Sequence, residues 1–121
     1  MSKKITKTNP MLITLIQDLK KLSNEQDAPI WKDIAIRLEK PLRNWPVVNL
    51  NKIERYIGEN EIALIPGKVL SVGNLTKKVS IAAYSFSEKS VEKIKKAGGK
   101  HLSLEEVAKK HPKGENIRIL G

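Results

Sequence analysis

A chain of 121 residues and 13.6 kDa fits one domain, since halving it would leave two marginal cores, and its 40% apolar fraction excludes disorder throughout. Lysine and arginine number 23 against 13 acids, a net charge of +10 and a pI near 9.9, so the first partner to expect is an acidic one. The absence of cysteine excludes a disulfide scaffold and any thiolate metal site, and fits a reducing compartment.

Asn9-Pro10 followed by Leu12, Leu15, Ile16, Leu19 and Leu22 predicts a helix. Asparagine caps the free amides, proline suits the first turn, and the apolar residues recur every three or four. The pattern ends near Ser23-Asn24. Ala28-Pro29 opens a second helix with Ile30, Ile34, Ala35 and Leu38 on one face. It stops before Pro41, because the residue preceding a proline resists helical angles. The two make a helical hairpin. Pro41-Leu42-Arg43-Asn44-Trp45-Pro46, bracketed by prolines, reads as a rigid exposed loop that carries a guanidinium two residues from an indole.

Val47-Val48-Asn49-Leu50 reads as a short strand, after which Asn51 and Glu54 have the spacing of a capping pair for a helix through Tyr56 and Ile57. Residues 61–65 and 69–72 are strand-like, separated by the turn dipeptide Pro66-Gly67. Gly73-Asn74 marks another turn, and residues 77–84 a further strand. Tyr84 and Phe86, two apart, are expected to share a face of it. Ser87 caps a helix with Val91, Ile94 and Ala97 on one face, ended by Gly98-Gly99. Ser103 with Glu106 forms a capping box over Leu104, Val107 and Ala108, stopped by Pro112, and residues 116–120 close the chain as a strand. The expected fold is α/β behind the helical hairpin. The expected division of the single domain, residues 1–121, is a basic arm at 1–8, a helical region and loop at 9–46, and an α/β core at 47–121.

The positive charge is no detachable tail: residues 1–60 carry 11 bases and 7 acids, and residues 61–121 carry 12 bases and 6 acids. Acid-free stretches hold Lys3, Lys4 and Lys7, then Lys68, Lys77 and Lys78, and a third cluster at Lys89, Lys93, Lys95, Lys96 and Lys100 is offset only by Glu92. Each cluster alone suits a solvated face; together they point to a polyanion.

Catalytic patterns are missing. Gly67-Lys68 and Gly99-Lys100 each lack both the upstream glycine and the following Ser/Thr of a phosphate-binding P-loop. His101 and His111 have no metal-ligand companions in the sequence, and the His101/Glu105 spacing lacks a nucleophile. The expectation is a protein that is not an enzyme and needs no cofactor. Apolar runs such as residues 62–65 and 81–84 hold only four residues, far from the roughly 18 of a membrane span, and the first residues lack a secretory signal. No membrane association and a cytoplasmic address are expected. Only five aromatic residues are present, too few for a base-stacking platform, and 19 lysines to 4 arginines favour phosphate contact over base reading. That balance fits folded RNA held by shape and backbone.

Thr8-Asn9-Pro10, Ala28-Pro29-Ile30-Trp31, Val48-Asn49-Leu50, Pro66-Gly67-Lys68-Val69-Leu70, the stretch 82–87 and Gly98-Gly99 resemble, in order and spacing, ribosomal protein eighteen of the large subunit in archaea and eukaryotes. That family is similar in fold to bacterial large-subunit ribosomal protein fifteen. The likeness spans nearly the whole chain, and its length looks archaeal. It implies an irregular strand-strand-helix superhelix, assembly into the large ribosomal subunit, and contacts with ribosomal RNA and neighbouring ribosomal proteins. The residues expected at RNA are Lys3, Lys4 and Lys7 in the arm, Arg37, Lys40, Arg43, Asn44 and Trp45 at the helix end and loop, and Lys68, Lys77 and Lys78 at the turns. Arg37 and Lys40 have a second reading as partners of Asp33 or Glu39, and Trp45 as a packing residue. The alternative function is an interaction module for an acidic protein outside the ribosome.

Overall fold

The structure, a computed structural model, describes residues 9–58 and 60–121. Helix α1, Pro10–Gln26, starts as its sequence dictates: the Asn9 side chain accepts from the Met11 and Leu12 amides, and proline at the first turn has no amide to satisfy. It runs past Ser23-Asn24, because Asp27 adopts a left-handed φ of 51° and the amide of Ala28 bonds back to Ser23 O at 3.0 Å. Helix α2, Pro29–Glu39, follows at once and packs on α1. Trp31, fully buried, donates its indole N–H to Pro112 O at 2.7 Å and so ties α2 to the far end of the chain.

Among the described residues five strands form one parallel sheet: β1 Val47–Asn49, β2 Ile62–Leu70, β3 Ser80–Phe86, β4 Lys100–Ser103 and β5 Ile117–Ile119. The order β1-β2-β3-β4 leaves β5 to pair with β2 as well. One edge of β2 thus serves two strands, β5 beside residues 62–64 and β1 beside residues 68–70. Pro66-Gly67 lies at the changeover. It is not the turn expected from the sequence but part of one nine-residue strand whose pairing with β3 shifts register between Ile65 and Lys68. Glycine is required there, since a Cβ on Gly67 would stand 2.1 Å from Pro46 O.

Helix α3, Leu50–Tyr56, and helix α4, Glu88–Lys96, cover one face of the sheet with Val48, Ala63, Ile65, Val69, Ile81 and Ala83. On the other face, α1, α2 and helix α5, Leu104–Lys110, bury Ile62, Leu64, Ala82 and Leu102. The α/β class and the N-terminal helical pair are those the sequence indicates. Tyr84 and Phe86 part company, however: Tyr84 packs with the α1/α2 layer and Phe86 with the opposite one. The capping pair expected of Asn51 and Glu54 is not formed either. Asn49 precedes the helix, and Glu54 reaches away to Thr76, accepting from its amide at 3.1 Å and its hydroxyl at 2.6 Å. The Ser87 cap and the Ser103/Glu106 capping box are both present.

Candidate nucleic-acid interface

Between α2 and β1 the prolines at 41 and 46 bracket a single 3-10 turn, Leu42–Asn44, closed by Asn44 N–H to Pro41 O at 2.8 Å and Trp45 N–H to Leu42 O at 3.0 Å. Leu42, Arg43 and Asn44 are exposed. Trp45 is half-buried beneath them. Its indole N–H donates to Lys40 O at 2.9 Å, and its ring meets Tyr84 edge to face with centroids 5.0 Å apart. The Tyr84 hydroxyl in turn accepts from Asn9 Nδ2 at 3.3 Å. A turn two prolines already stiffen is thus braced by β3 and by the start of α1.

Beside Trp45 opens a cleft of about 240 Å³, lined by Leu42, Trp45, Val47, Lys68, Tyr84 and Ser85. Lys68 is exposed at its margin, held in place by its own amide bonding Pro46 O at 3.1 Å. The fold therefore gathers Arg43, Asn44, Trp45 and Lys68, which lie on two separate elements. Lys40 ends α2 just before the turn, exposed, with its carbonyl engaged by Trp45. Arg37 sits one turn back, its Nε 3.1 Å from Asp33 Oδ1 in an i,i+4 pair.

The remaining expected residues lie apart from this loop. The Lys77 ammonium donates to Glu54 O at 3.0 Å and Ile57 O at 3.3 Å, a cation placed at the negative end of α3. Lys78 is exposed, and its stem passes the Gly98 backbone. Lys3, Lys4 and Lys7 lie outside the described residues. Tyr84 and Asn9 brace the loop, whereas the sequence pattern alone marks Tyr84 only as a strand residue and Asn9 only as a cap. The Asn9 cap was visible because it acts over three residues, whereas its bond to Tyr84 depends on the folded packing.

Among the described residues two carboxyls are lowered below the ordinary range. Glu54 is lowered chiefly by the Thr76 hydroxyl and amide, with the Lys77 charge assisting against slight desolvation. Glu106 is lowered chiefly by the Ser103 amide of the capping box. Neither belongs to a reactive cluster. Among the described residues no three His, Cys, Asp or Glu side chains gather as a metal site, and no helix is long and apolar enough to cross a membrane. His101 packs edge to face on Phe86, ring centroids 5.5 Å apart.

This geometry defines a class of protein: a lysine-rich parallel-sheet α/β module that presents cationic groups on braced backbone, suited to holding a polyanion. Comparison with known proteins gives the family. Over residues 1–121 the chain matches ribosomal protein 60S L18 and 50S L18e, and it belongs to that family. Large ribosomal subunit protein eL18 of Methanothermobacter thermautotrophicus is 49% identical over 120 residues, covering 99% of each chain. The eL18 proteins of Archaeoglobus fulgidus and Methanococcus maripaludis are each 48% identical, covering 94% and 98% of this chain and 97% and 98% of their own.

Proposed function

We propose that the chain is a structural constituent of the large ribosomal subunit, one folded unit without chemistry of its own, that works in the cytoplasmic ribosome by binding folded ribosomal RNA and packing beside neighbouring ribosomal proteins. Family membership along the whole chain supports the assembly, and relatives bear the name large ribosomal subunit protein. The observation that carries the mode of binding is the braced turn. Arg43 and Asn44 project from backbone fixed by two prolines and by the Trp45–Tyr84 contact, so little freedom is lost when the turn meets phosphate. Lys68 adds a point charge beside it, and the cleft along Trp45 and Leu42 has the chemistry to seat one splayed base.

In this reading Arg37, Lys40 and Lys78 are outlying phosphate contacts, and Lys3, Lys4 and Lys7 supply a basic arm; Lys77, whose ammonium is engaged by the carbonyls at the end of α3, is left out of the set. A salt titration of the purified chain against large-subunit RNA tests it. About six phosphate contacts imply a loss on the order of a thousandfold in affinity between roughly 50 and 200 mM salt. A flat titration, or recovery from native lysate only in small complexes with acidic proteins, would replace this reading with the interaction-module one.

A further inference from the structure

Gly98 and Gly99 press the end of α4 onto the segment leading into β3. A Cβ on Gly98, whose φ is +81°, would stand 3.2 Å from Lys78 Cγ, and one on Gly99 would stand 2.3 Å from Val79 O. That same carbonyl accepts the Lys100 amide at 2.9 Å, and Lys100 registers with Ser80. The aliphatic stem of Lys78 therefore runs across bare glycine backbone, next to the last turn of α4 with Lys95 and Lys96 and next to Lys100 at the head of β4. All four lysines are exposed.

The negative end of a helix accounts for Lys95 and Lys96 but not for Lys78 and Lys100, which come from other elements. Among the described residues no ion pair neutralises any of the four, and Glu92, one turn back on α4, makes none with them. Lys93 is different in kind: its ammonium is used inside the fold, donating to Ser71 O at 2.8 Å and Gly73 O at 2.9 Å. The four exposed lysines thus belong to segments that meet at the glycine pair: the lead into β3, the last turn of α4 and the head of β4. A protein partner would need an apolar centre to bury, and lysine is depleted from such centres. Compact ammonium groups on long stems suit phosphate oxygens without base reading.

This knuckle is remote from the turn at residues 41–46. Lys100 pairs at the level of Ser80, whereas Lys68, beside the turn, pairs at the level of Ser85. Five residues at about 3.3 Å each separate the two levels by about 17 Å along the strands. We propose that the lysines at 78, 95, 96 and 100 form a second phosphate-binding surface for the backbone of a helical RNA segment other than the one at the turn, so that a single copy of the chain joins two RNA segments. The inference rests on the reading of the chain as an RNA-binding protein.

The test uses the full chain, a short RNA duplex as probe, and two charge-matched variants. One is K95Q/K96Q/K100Q; the other, K21Q/K32Q/K52Q, removes three exposed lysines from α1, α2 and α3. With about 0.9 of log–log slope per phosphate contact, the knuckle variant should lower the salt slope by about 2.7, so that over a fourfold rise in salt the wild type loses about 40-fold more affinity than the variant does. The control should change little, and both should melt with the wild type because the replaced side chains are exposed. A second readout scores joining: a tethered duplex should retain a differently labelled duplex through the wild-type chain, and through the knuckle variant should not. Equal slopes for the two variants, or undiminished joining by the knuckle variant, overturn the proposal while leaving RNA binding intact. Loss of polyglutamate binding alone in the knuckle variant would assign the surface to an acidic protein instead. A wild-type chain that binds no RNA overturns both readings.

Discussion

The indole of Trp45 meets the ring of Tyr84 edge to face, 5.0 Å between centroids and 76° between planes, so the turn before β1 is held by a residue of β3. Aromatic pairs in this geometry couple by about 0.5–1.5 kcal/mol beyond their area burial. A double-mutant cycle with Trp45→Leu and Tyr84→Leu, read by urea unfolding, should return a coupling in that range. Additive effects would mean the two rings are merely adjacent.

Arg43 offers a planar fork on the braced turn. Arg43→Ala should weaken RNA binding by about 1.5–3 kcal/mol, the range for a hydrogen bond to a charged group. Arg43→Lys keeps the charge and loses the fork, so an intermediate loss is expected. Lys21, exposed on α1, is the better control, because its neighbour Lys20 is engaged with Glu39 at 2.7 Å. Equal losses from Arg43→Ala and Lys21→Ala in a filter-binding titration would reduce the turn to generic positive charge.

At Gly67 a Cβ would collide with Pro46 O at 2.1 Å, the acceptor of the Lys68 amide. Gly67→Ala should therefore destabilise the fold by about 1–3 kcal/mol, as overpacking does, and weaken RNA binding as Lys68 moves with the strand. Gly58→Ala is the comparison: its Cβ would meet a side chain rather than backbone, Glu61 Oε1 at 2.9 Å, which accepts the Gly58 amide but can shift, so a smaller loss than for Gly67→Ala is expected. Chemical denaturation of both variants decides whether the β1–β2 approach is as tight as described.

Glu54 links α3 to Thr76, and its lowered pKa makes that link pH-dependent. A carboxyl lowered in the folded state stabilises it fully above the unfolded value of about 4.3, and that contribution disappears as pH falls through the folded value. The melting temperature of the wild type should exceed that of Glu54→Gln by a constant margin above about pH 5, and the margin should close towards pH 3. A margin that persists at pH 3 would show that the carboxylate charge is not what holds Thr76.

Local devices were legible along the chain. Asn9-Pro10, Ser87 and the Ser103/Glu106 box act across three residues, so their residue types suffice to place the starts of α1, α4 and α5. Strand β4 was not legible, because Lys100-His101-Leu102-Ser103 has one buried apolar residue and takes its conformation from pairing with β3. Pro66-Gly67 misled for a related reason. The dipeptide favours a turn in isolation, but two strands sharing one edge of β2 hold it extended.

For the candidate interface the division is similar. The paired prolines marked the stretch 41–46 as a stiff exposed segment, since proline restricts its own backbone wherever it stands. The bracing of Trp45 by Tyr84, the approach of Lys68, and the turning inward of Lys77 and Lys93 onto carbonyl oxygens were invisible, because a lysine reads the same whether its ammonium faces solvent or caps a helix.

By itself, then, the sequence determined the α/β class, the helical hairpin, the caps of α1, α4 and α5 and the polycationic character, all of which follow from side-chain chemistry and short-range spacing. Only the tertiary structure decided which lysines remain available to a polyanion and which are spent on the fold. It also decided that β1 and β5 share one edge of β2, and that the stem of Lys78 crosses the glycine pair that joins the end of α4 to Lys100. These are relationships between residues distant in the chain, fixed by strand register and close backbone approach.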